Sequence, residues 1–438
     1  MRARALRSGL AAIFLMGGSQ GLRFASNLVL TRLLFPEAFG LMALVQVVVG
    51  GASLLSDVGL RTSVIQSDRG DDPGFLNTIW TLQVVRGVLL WMLVCAIAIP
   101  VGNFYEEPLL TVILPVCGLQ LLVQGFVPTR FLTAQRHLRI GRITQLQLAG
   151  QALGIGSIIV LAWALQSVWA LAIGMVLTPL ITQVLYMLFL PGPGNRFGFE
   201  AAAAKEILHF GKYLMLSTVA AYVLTRSDRA LLGTVISVEM LGIYSIGLAL
   251  ARLPQEIFKA LSSKVLLPVY KKKHPADSPE NRANVFKLRR AIVAAILGLT
   301  ALLAVFGPAL VSVLYDDRFL LSGAVVCLVA VAIMPVIVTA GTVNASLAKG
   351  DSFRYMLTRV SIAVVQVIVM VLLLEDFGIV GVAISFAAAP ILTYPLLASV
   401  LRKYGNWDWK ADLGFFVLSA LVAIFVVKQH GELISRLP

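Results

Sequence analysis

The chain has 438 residues, of which 58% are hydrophobic and only 13% charged, and its mean hydropathy is +0.88. A water-soluble fold of this length needs far more polar surface. The net charge of +14 comes from basic residues spread over many short segments, which excludes a nucleic-acid-binding patch.

Taken in chain order, apolar runs predict membrane helices over 8–34, 39–65, 76–101, 108–131, 143–166, 168–190, 210–233, 238–265, 289–314, 321–347, 359–374 and 378–401. A shorter run, 413–428, is marginal as a thirteenth at ~1.5 Å per residue. The first run follows Arg2, Arg4 and Arg7 in the manner of a signal peptide. It continues past Arg23 to about Leu34, too far for a signal core, so it is expected to stay as an uncleaved helix.

Loop charge sets the expected orientation. With the N-terminus in the cytoplasm, 26 Lys and Arg fall on the inner side, among them Arg69, Arg136, Lys271, Lys272, Lys273 and Arg402. Up to the twelfth helix the outer loops carry only Arg318, and several are acidic. That asymmetry is the positive-inside pattern. The basic 271–288 loop reads as an anchor at anionic lipid.

The 191–207 segment, PGPGNRFGFEAAAAKEI, divides the chain into two halves of six helices. The expected organisation is a lobe over 1–190, a cytoplasmic linker over 191–207, a second lobe over 208–403, and a 404–438 tail. Shifted by 202 residues, "LVLTRLLFPEAFGLMAL" (28–44) lies on "ALLGTVISVEMLGIYSI" (230–246), pairing Leu30 with Leu232, Glu37 with Glu239 and Gly40 with Gly242. Each acid falls in the first turn of a returning helix, where the helix dipole favours it. The expected fold is therefore an all-α polytopic membrane protein of two six-helix bundles related by a parallel repeat.

Cys95, Cys117 and Cys327 lie in apolar runs, so neither a disulfide framework nor a metal site is expected. No nucleotide-binding motif is present, and no cofactor is expected. The outer loops, about 3–9 residues long, are too short to build an acceptor site, so the chain is not expected to be an enzyme.

Seven cations remain within the helices or at their edges: Arg23, Arg32, Arg86, Arg226, Arg229, Arg252 and Lys259. An arginine at bilayer depth costs roughly 2.5–3.5 kcal/mol on insertion scales, and such residues face a partner or a watery cavity. Arg32 and Lys259 suit an interfacial position. Arg23, Arg86, Arg226 and Arg252 are placed near mid-depth, and Arg229 shares a helix face with Arg226. The mid-membrane acids are Asp57, Asp228 and Glu256. Local pairing would join Arg229 to Asp228, Arg252 to Glu256 and Arg86 to Asp57. The remaining positive excess suits an anionic ligand, because guanidinium forks match phosphate oxygens. Asp57, Asp228 and Glu256 then become coupling or gating candidates, and Pro254 marks a bend in helix eight.

"SNLVLTRLLFPEAFGLMALVQVVVGGASLLSDVGLRTSVIQ" (26–66), "FYEEPLL" (104–110) and "PTRFLTAQRHLRIGRIT" (128–144) resemble the polysaccharide-transporter branch of the multidrug/oligosaccharidyl-lipid/polysaccharide exporter superfamily. The resemblance implies a flippase for polyprenyl-pyrophosphate-linked oligosaccharide repeat units of O-antigen or exopolysaccharide. It implies the bacterial cytoplasmic membrane as location, other polysaccharide-assembly membrane proteins as partners, and a monomer as the expected state. It also puts Arg23 and Arg226 in the role of cavity arginines acting on the pyrophosphate. The alternative within the superfamily is a multidrug or cation antiporter. Its cationic substrates would favour acids over arginines in the cavity.

Overall fold

The computed structural model covers all 438 residues. Backbone is described for all but Met1, 56–63, 65, 66, 68, 138, 193, 341, 343–345, 347 and 350; side chains 2–16, 55, 202, 204–218 and 352 are also left aside. Among the described residues the secondary structure is helical, with no strand.

The chain forms two compact units, 1–219 and 220–438. The first contains α1 (Arg2–Leu33), α2 (Pro36–Leu55), α3 (Pro73–Phe104), α4 (Pro108–Gly125), α5 (Thr129–Arg136), α6 (Ile140–Leu165) and α7 (Trp169–Phe189). Helix α8 (Ala201–Leu232) carries the chain into the second unit. There follow α9 (Val238–Ala251), α10 (Leu253–Leu261), a π turn (Ser262–Leu266), α11 (Leu267–Lys272), α12 (Pro279–Leu314), α13 (Ser322–Ala340), α14 (Ser352–Leu392), α15 (Tyr394–Lys403) and α16 (Trp409–Ile434).

Helix boundaries follow local chemistry. Asp72 caps α3, its Oδ1 accepting from the Gly74 N–H at 3.1 Å, with Pro73 in the first turn where its missing N–H is harmless. Ser237 caps α9 and Ser278 caps α12 in the same way. Glu37 and Glu239 both lie in the first turns of their helices, so the acid pair that marked the repeat occupies equivalent places.

Several expected spans are broken by proline. The 108–131 run ends as α4 at Gly125 and restarts after Pro128. The 238–265 run divides at Arg252, before Pro254, and the π turn comes just before Pro268. A wider turn relieves the hydrogen bond that a proline cannot donate. The 359–374 and 378–401 runs, both within α14, are separated by a sharp turn at Gly378, whose φ of 45° and ψ of −122° are non-helical and open to glycine, and the second stops at Thr393 before Pro395.

Nine described helical stretches are long and apolar enough to cross a membrane, the 353–403 stretch supplying two crossings. Helices α1 and α8 are each 32 residues long but more polar. The marginal thirteenth run is longer than its apolar core suggests. With its polar ends α16 has 26 residues, bent at His430 (φ −119°, ψ 15°), and the part before the bend has about 32 Å of axis. It starts beside the 404–408 segment, and past its far end the Pro438 carbonyl accepts the Ile379 N–H at 2.9 Å, at the Gly378 turn. It therefore runs the full depth of its unit.

Packing repeats between the units. In the first, α3 packs most extensively on α4, and α4 also contacts α2 and α7. In the second, α12 packs on α13, and α13 contacts α9 and α14. The fourth helix of each half is thus its centre. Close approach depends on glycine in both: a Cβ on Gly125 would lie 2.8 Å from the Gln83 carbonyl oxygen, and one on Gly323 2.9 Å from Pro308 Cα. Trp163, Leu188, Val313 and Leu372 stand out from the surface, an arrangement suited to hydrocarbon. The chain is a multi-pass membrane protein.

Candidate functional site

The second unit brings most of the candidate charges together. Asp228 on α8 is 1% exposed. Its Oδ2 accepts from the Tyr244 hydroxyl at 3.0 Å and from Arg252 Nη2 at 3.2 Å, and its Oδ1 has no protein partner. Arg252 closes α9 at the Pro254 break, donates to the Thr225 carbonyl at 3.4 Å, and holds its guanidinium 5.2 Å from the Phe386 ring centroid on α14. Arg226 lies within electrostatic range of Arg229, Asp228, Tyr222 and Arg252. Arg229 has a buried Nε with no hydrogen-bond partner. Three arginines thus gather around one buried carboxylate.

Of the alternative local pairings, the one between Arg252 and Glu256 does not form. Glu256 bonds Lys259 at 2.7 Å, both nearly half exposed, so Arg252 takes Asp228 instead. The reason is geometric: Glu256 and Lys259 share a face of α10, whereas Arg252 stands at the break before it and turns back to α8. That pairing leaves Glu256 at the surface and makes Asp228 the buried acid.

In the first unit, Arg86 on α3 donates to the Ser53 carbonyl of α2 at 2.6 Å. Its expected partner Asp57 lies outside the described residues. Arg23 is exposed on α1, with no hydrogen-bond or ion-pair partner among the described residues. Along their axes, Arg23 sits about 15 Å and Arg226 about 9 Å from the ends of α1 and α8 at the short turns leading to α2 and α9. Arg32 is exposed in the last turn of α1.

One buried charge pair escaped the sequence. Arg289 on α12 and Asp412 on α16 form an ion pair, with side chains 2% and 1% exposed. Arg289 also reaches the Val338 carbonyl at 3.1 Å, and the Tyr394 hydroxyl donates to the other Asp412 oxygen at 2.6 Å. Next to it, Arg290 forks onto Asp408 at 2.7 and 2.8 Å. In the sequence Arg289 opens the predicted 289–314 run, where a basic residue suits the inner interface. Its partner is 123 residues away, and the only sequence signal was two acids placed just before the last apolar run.

At the long-loop end of each unit an acid of one loop holds a base of another. Asp71 binds Arg136 at 3.1 Å and His137 at 2.9 Å; Asp277 binds Lys349 at 2.9 Å. Arg69 forks onto Glu200 and also binds Asp72, and it holds both carboxyls below their usual range. The Lys349 ammonium does the same for Asp277. Asp351 is lowered by the Tyr404 hydroxyl and by the Arg354 N–H. The expected linker is tied down along α3. The N–H groups of Arg196, Gly198 and Glu200 are accepted by Asn77, Thr81 and Thr78, and Phe197 lies on Trp80.

Among the described residues no group of His, Cys, Asp and Glu could hold a metal ion. What the site can do is gather negative charge: guanidiniums from α8 and α9 outnumber the buried acid beside them.

Known proteins bear on this arrangement. The lipid II flippase MurJ in an inward closed conformation aligns with 98% of this chain and all of its own, at a TM-score of 0.70 and 12% identity. An inward-facing multidrug resistance transporter of the MATE family and MOP superfamily covers 89% of this chain and 96% of itself, at 0.67 and 14%. These likenesses establish the fold as that of the superfamily's transporters. Among curated proteins, teichuronic acid biosynthesis protein TuaB of Bacillus subtilis is 22% identical over 50% of this chain and 46% of its own length. Lipopolysaccharide biosynthesis protein WzxC of Escherichia coli is 23% identical over 66% and 59%. Amylovoran biosynthesis protein AmsL of Erwinia amylovora is 23% identical over 82% and 95%. The alignment thus spans about half the length of the first two relatives and nearly all of the third. The model of the family described as "Polysaccharide biosynthesis protein" matches residues 29–324, and the chain belongs to that family.

Proposed function

We propose that this protein is a flippase. It moves polyprenyl-pyrophosphate-linked oligosaccharide repeat units from the cytoplasmic to the outer leaflet of a bacterial inner membrane by alternating access, for O-antigen or exopolysaccharide synthesis. The observation that carries this reading is the charge balance of the second unit: Arg226, Arg229 and Arg252 around one buried carboxylate, Asp228. A positive excess within membrane helices suits a pyrophosphate and repels the cationic substrates of an antiporter. Arg23 and Arg86 are the candidate guanidiniums of the first unit. The MurJ likeness and the polysaccharide relatives support the same class.

The reading places the basic-loop end in the cytoplasm. Alternating access calls for bends, and the Pro254 break beside Arg252 supplies one at the site itself.

The test is transport of a lipid-linked oligosaccharide in proteoliposomes. Arg23→Ala and Arg226→Ala should each abolish it while the protein still inserts, and Arg→Lys should restore only part, because an ammonium cannot fork onto two oxygens. Full activity in both alanine variants overturns the proposal. Orientation is checked by single cysteines: one in 271–288 should label only from the cytoplasm, and one in 103–108 only from outside. Labelling of both from one side overturns the topology.

A further inference from the structure

The two buried arginine–aspartate pairs of the second unit differ in a way that assigns a task to one of them. In the Arg289–Asp412 pair both carboxylate oxygens are engaged, the acid is held by Arg289 and by Tyr394, and both side chains are nearly sealed from the surface. The Arg252–Asp228 pair is looser. Both hydrogen bonds of Arg252 are long, at 3.2 and 3.4 Å, and its side chain is 18% exposed. A guanidinium has five N–H donors, and these contacts leave several unused. Its backbone stands at the end of α9, where Pro254 removes the hydrogen bond that would otherwise continue the helix. The Phe386 ring gives the cation a sequence-independent resting face.

Asp228, in contrast, is fixed. It is 1% exposed and its Oδ2 is anchored by Tyr244, itself fully buried on α9. Its Oδ1 is buried and without a partner. A buried carboxylate satisfied on one oxygen by a neutral hydroxyl still requires a cation, and the cation on hand is Arg252.

We infer that Asp228, anchored by Tyr244, is a parking site for Arg252: the guanidinium rests there in the empty protein, moves to the anionic head group when it binds, and is drawn back to the carboxylate as the head group leaves. This rests on the reading that the arginines hold a lipid-linked pyrophosphate. It supplies what that reading lacks, a means of release. Several guanidiniums on one pyrophosphate would hold it too long, and an internal anion that competes for one of them raises the rate of departure. Asp228 is a positioning residue here, acting through Arg252. Tyr244 has an opposite part. Its hydroxyl shares the negative charge of Oδ2 and so weakens the hold on Arg252.

The full-length protein, purified in detergent, is titrated calorimetrically with farnesyl pyrophosphate and with inorganic pyrophosphate, and turnover is followed in proteoliposomes. Asp228→Asn keeps the shape and the Tyr244 contact but removes the charge. It should bind farnesyl pyrophosphate about five- to tenfold more tightly than the unmodified protein and turn over several-fold more slowly. Tyr244→Phe should shift affinity the other way, about two- to threefold weaker. Arg252→Gln should weaken binding, and in the Asp228→Asn/Arg252→Gln double variant the gain should vanish. A structural role alone would lower affinity and turnover together in Asp228→Asn, and that result overturns the parking site. So does Asp228→Asn binding with unchanged affinity while Arg252→Gln binds weakly, an outcome that leaves the flippase reading standing. If Asp228→Asn fails to fold, Tyr244→Phe decides by its sign: tighter or unchanged binding overturns the inference. If the unmodified protein binds inorganic pyrophosphate as well as the farnesyl compound, the lipid-linked reading fails, while a gain in Asp228→Asn still supports the parking site. If it binds neither, both fail.

Discussion

The two units share a skeleton but differ in how they treat charge. Each centres on its fourth helix, approached through glycine, and each ties an acid of its long-loop end to a base of a neighbouring loop, Asp71 to Arg136 and Asp277 to Lys349. Inside the helices they diverge. The second unit buries two arginine–aspartate pairs, Arg252–Asp228 and Arg289–Asp412. In the first, Arg86 meets a backbone carbonyl, and Arg23 has no partner among the described residues. A duplicated frame therefore sets where helices go, and a few substitutions decide what each half can hold. Among the described residues, the first half shows no arginine–aspartate pair buried within its helices. The second presents cations together with an anion that can compete for them.

The largest effect that would break this contrast is expected at Asp412. Asp412→Ala leaves Arg289 buried and uncompensated, which costs about 3–5 kcal/mol. The second unit should lose thermal stability sharply. The double variant Arg289→Leu/Asp412→Leu should recover most of it, because no charge is then left buried. Calorimetry or a thermal-shift series in detergent reads both. An Asp412→Ala variant as stable as the parent would mean that α16 is not held by this pair.

Next in size is the shared frame. Gly125→Leu would force side-chain atoms into the Gln83 backbone, and Gly323→Leu into Pro308. Each should cost about 1–3 kcal/mol by overpacking. Similar losses in the two variants would sharpen the view of the fourth helix as a repeated centre. Loss in only one would break it.

The smallest effect lies at the loop staples. Asp72, Glu200, Asp277 and Asp351 are all held below their ordinary range by hydrogen-bonded partners, Arg69 for the first two, Lys349 for Asp277, Tyr404 first for Asp351. A carboxyl lowered by folding contributes above its unfolded value, 3.8 for Asp and 4.5 for Glu, and that contribution fades as pH falls through the folded value. Between pH 7 and pH 3, the protection factor (the intrinsic exchange rate at each pH divided by the observed rate) should fall at 69–72, 195–200 and 273–278 while the helices that pack around α4 and α13 stay protected. Equal protection factors at both pH values would show that the staples do not hold these loops. Exposed pairs of this kind contribute little individually.

The sequence by itself determined the membrane class, nearly every helix, the two halves and the repeated acid at Glu37 and Glu239. These follow from hydropathy, charge counting and helix capping, all of which act over a few residues. It misjudged the places where neighbours decide. The apolar count of 413–428 undervalued α16, because a helix whose ends are paired to protein, as Asp408 and Asp412 are, needs no apolar residues there. Spacing along one helix offered Glu256 as a local partner for Arg252, whereas Lys259 takes the acid and Asp228, on another helix, takes the arginine. The linker looked free, but its backbone N–H groups find side-chain acceptors on α3 more than a hundred residues away. Only the tertiary structure could settle these points, because a buried charge or a bare N–H takes whichever partner the packing brings within about 3 Å, and chain distance does not enter that choice.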